Sequence, residues 1–290
     1  MLKEKWKTLE DLLEKYGERN KYILNNKSSS PKPNRVNLYR WYYSENSEKE
    51  NLGDYLAEII VDYMLVLKCV SRNKYVAHRK NLYTVGSILG TGMCNATVWG
   101  SGYIDKYTVG NTYKKILPKL RKLDIRAVRG PLTRDVLLST GYDCPEVYGD
   151  PAVLLPLIYT PNVSSDILKT DYKLVKHFTD NTECKDTIPI LTKDYKNFVN
   201  QIVTSKKIIS SSLHGIIIAE SYGIPSVLYL PKCVKEKEFK YRDYYYSTGR
   251  MEFPIARTLE DAIKIIPCVL PDMTMLQKNL IDSFPYDLWK

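Results

Sequence analysis

The stretch from Lys206 to Leu230, KKIISSSLHGIIIAESYGIPSVLYL, restricts the fold more than any other part of the chain. Lys207 to Ser210 reads as a short buried strand and Ser210 to Gly215 as a polar turn. Ile216 to Tyr222 then reads as a helix that Gly223 ends and Pro225 keeps from resuming. Ser226 to Leu230 supplies the next strand. The stretch is therefore one β-turn-α-β unit, the repeating piece of a parallel α/β domain.

Such a unit sets its turn at the carboxyl edge of the sheet, where the first helical N–H groups lack partners and the helix dipole favours an anion. His214, one of three histidines in the chain, sits in that turn. Two readings of it stand: a helix cap or filler of a polar gap, and a titratable group at a cleft.

At 290 residues the chain is long for one core and comfortable for two. Strand and helix signals recur in two blocks. They predict an α/β fold of two Rossmann-like domains facing a cleft between the carboxyl edges of their strands. The expected partition is an amphipathic helix and linker over 1–36, a first Rossmann-like domain over 37–160, a second over 161–267 and a helical tail over 268–290. The boundary falls where Pro156 to Asp171 turns polar and proline-punctuated, and the tail could pack back on the first domain. Leu2, Trp6, Leu9, Leu13 and Tyr16 recur at helical spacing, which predicts a helix over 3–17 that packs on the body or lies on a membrane surface. Lys27 to Pro33 is a linker by composition.

No secretory signal and no run of ~18 apolar residues is visible. The six cysteines are scattered without C-x-x-C, which argues against a zinc site and a disulfide framework and fits a reducing cytosol. A net charge of +10 with a pI near 9.1 predicts an acidic partner. Phosphate-bearing metabolites and anionic lipid come before nucleic acid, for which no recognition module is present. The expectation is a cytoplasmic chain with neither metal nor cofactor.

Arg35 to Tyr39 predicts the first strand, and Asn51-Leu52-Gly53-Asp54 opens a helix with Asp54 placed to cap it. Strands over 81–85 and 96–99 each run into glycines, including Gly86, Gly90 and Gly92, then Gly100 and Gly102. Glycines there let a ligand approach the backbone. They spell neither G-x-G-x-x-G nor G-x-x-x-x-G-K, so nicotinamide and ATP are unsupported. Arg126 and Arg129 flank the end of a strand over 124–128, before Gly130-Pro131 opens a helix. Arginine's planar fork suits carboxylate and phosphate, and it equally suits a salt bridge holding the turn.

Five pieces in order, Asn51-Leu52-Gly53-Asp54, Trp99-Gly100-Ser101-Gly102, Arg126 to Thr133, Tyr148-Gly149-Asp150-Pro151 and Ser211-Ser212-Leu213-His214-Gly215, resemble the polysaccharide pyruvyl transferase family. Lys240-Tyr241-Arg242-Asp243-Tyr244-Tyr245 is similar to the family's later K-F-x-D-Y-Y segment, with Tyr241 for Phe. The resemblance implies a fold similar to two-Rossmann (GT-B-like) glycosyltransferases. It also implies transfer of an enolpyruvyl unit from phosphoenolpyruvate, as co-substrate, onto a sugar of a surface polysaccharide or its lipid-linked precursor. In several members Arg precedes the Leu-His and is associated with the donor. Ser212 stands there in this chain, so that contact comes from elsewhere or is absent.

On this reading His214 is the general acid, with Asp54 or Asp150 as the carboxylate that orients or deprotonates the acceptor. Arg126, Arg129, Ser101, Gly102, Ser211, Ser212 and Leu213 form the expected binding set. His177, which resembles a family histidine at a strand end, is the second candidate acid. Lys232, Lys235, Lys237, Lys240 and Arg242, interleaved with tyrosines, read as a solvated loop or as a docking surface for an anionic membrane at the cell's inner face. Two other functions compete: a nucleotide-sugar glycosyltransferase of the same fold, and a non-catalytic scaffold in polysaccharide assembly.

Overall fold

The computed structural model describes residues 35–41, 49–78, 80–91, 94–106, 121–163, 169–234 and 238–290. The expected helix over 3–17, the linker, Gly92, Lys235 and Lys237 lie outside them.

The chain forms two sheets, both wholly parallel. In the first, β1 (Val36–Tyr39), β2 (Lys80–Tyr83), β3 (Ala96–Ser101) and β4 (Leu123–Val128) lie side by side in chain order. Helix α1 (Leu52–Val66) connects β1 to β2 and buries Leu56, Ile60 and Met64 on one side. Every residue of β3 is buried, as expected of a parallel strand covered on both faces. Helix α2 (Pro131–Ser139) follows β4, starting at the proline whose fixed φ suits a first helical turn. A short 3-10 turn (Pro151–Leu154) runs into α3 (Leu155–Ile158). Pro156, where the sequence predicted a polar boundary, thus belongs to a helix whose Leu155 is fully buried.

The second sheet has the order β6-β5-β7-β8-β9, with β5 (Lys173–Lys176), β6 (Thr187–Pro189), β7 (Ile208–Ser210), β8 (Ser226–Tyr229) and β9 (Ile255–Ala256). From β5 the chain moves outward to β6, then returns past β5 through α4 (Tyr195–Val203) to β7, and continues through α5 (Leu213–Ser221) to β8. The connections after β5 and β7 therefore leave in opposite directions, and a crevice opens between them at the carboxyl edge. Helix α6 (Glu238–Ser247) precedes β9, and α7 (Leu259–Lys264) follows it. α8 (Thr274–Ser283) and a 3-10 turn (Tyr286–Trp289) complete the chain.

One hydrophobic cluster runs through both halves, joining Ile60 of α1, Trp99 of β3, Val175 of β5, Ile217 of α5 and Tyr244 of α6. The tail lies against the first sheet. Trp99 Nε1 donates to Leu280 O (2.9 Å), Gln277 Nε2 to Val153 O (2.8 Å), and the Tyr286 hydroxyl to Met64 O (2.7 Å).

Candidate active site

Two helix starts, one from each half, meet at the crevice. Asn51 caps α1, its side chain accepting the Gly53 N–H at 3.0 Å, so the cap is Asn51 and Asp54 stands one turn inside. The Leu52 N–H donates to Ile190 O just beyond β6, which ties this helix start to the second sheet (2.9 Å). α5 begins at Leu213, earlier than the sequence suggested, which places His214 in its first turn. Its N-cap Ser212 makes no side-chain cap; instead Ser210 Oγ accepts the Ser212 N–H at 3.0 Å.

The His214 ring lies against Gly53, where a Cβ would stand 1.8 Å from Nδ1. Only a residue without a side chain lets the two helix starts come this close. His214 Nε2 points to Asp150 Oδ2 at 3.7 Å, and both atoms are buried without a hydrogen-bond partner. The other oxygen of Asp150 accepts the Ala152 N–H (3.0 Å), which fixes the carboxylate. Asp54 opens partly to the crevice. Burial pushes its carboxyl up to about 6, against the pull of His214, Lys240 and Arg40 and with a further push from Asp150.

Asp54 and His214 line a cavity of about 290 Å³, whose other polar residues include Asn51, Ser87, Ser212 and Lys240. His177 lines it too, following β5; its N–H donates to Ser211 Oγ (2.9 Å) and its Nδ1 shares a hydrogen bond with Thr179 Oγ1 (2.7 Å). The contributing residues follow β1, β2, β3, β5, β7 and β8, so the carboxyl edges of both sheets converge on one site.

Several expected site residues stand elsewhere. Arg126 pairs with Asp124 (2.8 Å) and with Asp287 of the tail (2.9 Å); these hydrogen bonds, Asp124 first, hold its guanidinium protonated more firmly still. Arg129 is fully buried behind the cavity wall, donating to Asp243 Oδ2 (3.0 Å), Ser87 Oγ (2.5 Å) and Tyr103 O (2.6 Å). Asp243 also accepts the Thr133 N–H (2.9 Å) and hydroxyl (2.6 Å); burial raises its carboxyl, and Arg129 opposes that. Gly102 backs the guanidinium, a Cβ there standing 2.5 Å from Arg129 Cζ, while Ser101 Oγ donates to Gly86 O (2.9 Å). Ser211 Oγ donates to Asp180 (2.5 Å), and its carbonyl accepts the Tyr241 hydroxyl (2.7 Å). None of these five residues lines the cavity, whereas Ser212 and Leu213 do.

The cation at the site is Lys240, which sequence reasoning had put in a basic surface loop. It belongs to α6, is only 8% exposed and lines the cavity. Arg242, from the same expected loop, pairs instead with Glu238 (2.9 Å). The signal was present, since Tyr241, Tyr244 and Tyr245 are spaced i, i+3, i+4 and all three are buried.

Among the described residues no group of three His, Cys, Asp or Glu is placed to hold a metal, the cysteines are unpaired by disulfides, and no helix is long and apolar enough to cross a membrane. Fold and site together define an α/β protein of two parallel sheets with acid–base groups gathered at their converging carboxyl edges. The chain belongs to the polysaccharide pyruvyl transferase family, whose model matches residues 6–231. An uncharacterized protein of Acanthamoeba polyphaga mimivirus is 27% identical over 207 residues, covering 66% of this chain and 67% of that protein. No solved structure matches.

Proposed function

We propose that the chain transfers the enolpyruvyl group of phosphoenolpyruvate to a sugar of a polysaccharide or of its lipid-linked precursor, closing a pyruvate ketal and releasing phosphate. The observation supporting this reading is that one cavity holds a histidine from one half, a carboxyl titrating near 6 from the other, and a lysine. The relation of the halves would be that of two-Rossmann glycosyltransferases.

His214, oriented by Asp150, gives a proton to the donor's methylene carbon, and an acceptor hydroxyl attacks C2 while its proton passes to Asp54. Phosphate then leaves with that proton. A second hydroxyl of the same sugar closes the ring at C2, and its proton restores His214. Lys240 and the amide end of α5 meet the donor's carboxylate and phosphate, the task that Ser212 cannot perform as an arginine would. Of the two carboxylates weighed as base, Asp150 is committed to orientation and Asp54 has the open face.

The test incubates the protein with phosphoenolpyruvate and a panel of sugar acceptors, following phosphate release and product mass. Both should appear only when donor and acceptor are present together. His214→Ala and Asp54→Asn should each lower the rate about 10²–10⁴-fold, with His177→Ala run beside them as the competing acid. Unchanged turnover in the His214 and Asp54 variants would sink the reading. Turnover of a nucleotide sugar without phosphoenolpyruvate would make the chain a glycosyltransferase.

A further inference from the structure

We infer that the mouth of the cavity is a stacking subsite for one pyranose ring of the acceptor, built by Trp41 and Phe178 with Ile104 beside them; the inference rests on reading the cavity as a sugar-modifying site. The three residues follow β1, β5 and β3, so they come from both sheets, and all three line the cavity. They are 43%, 44% and 40% exposed, whereas Tyr39 and Tyr103, their near neighbours in the chain, are 2% and 1% exposed. Large apolar groups held open at a concave site, beside chemically similar residues that bury fully, mark a surface that a ligand covers.

Their supports hold them in place. Arg40, next to Trp41, is buried and paired with Glu50 and Glu58. Phe178 packs on the His177 ring at 4.3 Å between centroids. The less exposed part of the lining carries the polar groups Asp54, Ser212, His214 and Lys240 beside Ile88 and Leu213. A pyranose has an apolar C–H face and a rim of hydroxyls, and that division matches an aromatic mouth over a polar floor. A ring stacked at the mouth would direct its hydroxyls toward Asp54, which is where the attacking oxygen has to lose its proton.

The test uses the full chain and its intrinsic tryptophan fluorescence with Trp6→Phe as background, because Trp99 and Trp289 are 0% and 2% exposed, Trp41 is open and Trp6 lies outside the described residues. Methyl glycosides of glucose, galactose, mannose and N-acetylglucosamine are titrated, with uridine diphosphate in a parallel arm. At least one glycoside should give a saturable change that Trp41→Leu abolishes and that Phe178→Leu weakens tenfold or more. Both variants should keep wild-type circular dichroism and the wild-type thermal shift with phosphoenolpyruvate, and in turnover the acceptor KM should rise while the donor KM stays. No saturable change with any glycoside, or wild-type affinity in Phe178→Leu together with a wild-type acceptor KM in Trp41→Leu, overturns the subsite. A response to uridine diphosphate alone also overturns it, in favour of a stacked base. Glycoside binding at Trp41 in a protein that forms no ketal leaves the subsite standing and removes pyruvyl transfer.

Discussion

Asp54 is where stability and function pull apart. Its folded carboxyl titrates near 6 against an ordinary value of 3.8 because burial disfavours the charge. The folded state therefore holds this proton more tightly than the unfolded chain does. The favourable contribution is complete below about 3.8 and is lost as pH rises to about 6, so the ionised group costs up to about 3 kcal/mol at neutral pH. Asp54→Asn should raise the midpoint of thermal unfolding at pH 7, with the gain shrinking toward pH 4, while the acidic limb of kcat/KM near pH 6 disappears along with most of the rate. A variant that is no more stable than wild type at pH 7 would show that the carboxyl is not desolvated. Gly53 supplies a second residue-scale test. A methyl group there would stand 1.8 Å from His214 Nδ1, so Gly53→Ala has to displace the ring from Asp150. A misplacement of about 1 Å is worth roughly 10² in rate, and that loss should appear in kcat with donor binding retained by thermal shift.

At the scale of elements, α6 explains why one expected anion site moved. Asp243 reaches from α6 into the first half to hold Arg129 and the start of α2, all without exposure. Removing one member leaves a buried charge alone, so Asp243→Ala should cost about 3–5 kcal/mol in denaturant unfolding, and Arg129→Met with Asp243→Leu should recover much of it. If Arg129 instead bound the donor, the double variant would fold and lose the thermal shift with phosphoenolpyruvate. The βα units were legible because buried parallel strands are short apolar runs and their helices carry period-3.6 stripes; Val36–Tyr39, Leu123–Val128 and Tyr195–Val203 lie within a residue or two of where the pattern put them. α6 was not legible by charge, since its lysine and arginine suggested a solvated loop while its tyrosines were burying the helix. His214 was legible as a candidate from its turn after a strand, and Asp54 and Asp150 from the motifs that carry the family resemblance. Their division of labour was not, because Asp150 meets His214 across 64 residues of chain and Asp54 across 160, distances that no local pattern reports.

For the whole molecule, the consequence is that the two sheets share one fate. α1 belongs to the first sheet by sequence, yet its first residue hydrogen-bonds beyond β6, and its apolar side joins the cluster that holds Val175 and Ile217. The tail returns past the second sheet to fasten Trp99 and Arg126. Each half also keeps a smaller cluster of its own, around Tyr83 and Val98 in the first and Leu174 and Val227 in the second, but the close approach of His214 to Gly53 would be lost by even a small opening of the halves. A site that depends on such an approach gains from a frame that unfolds as a unit, because partial opening would separate His214 from Asp54. Thermal unfolding should therefore be a single transition in which tryptophan fluorescence and far-ultraviolet circular dichroism coincide, with calorimetric and van't Hoff enthalpies agreeing. Phosphoenolpyruvate should move that whole transition upward by mass action. Two resolved transitions, only one of them shifted by the donor, would mean that the halves fold independently and that the cavity is assembled by docking.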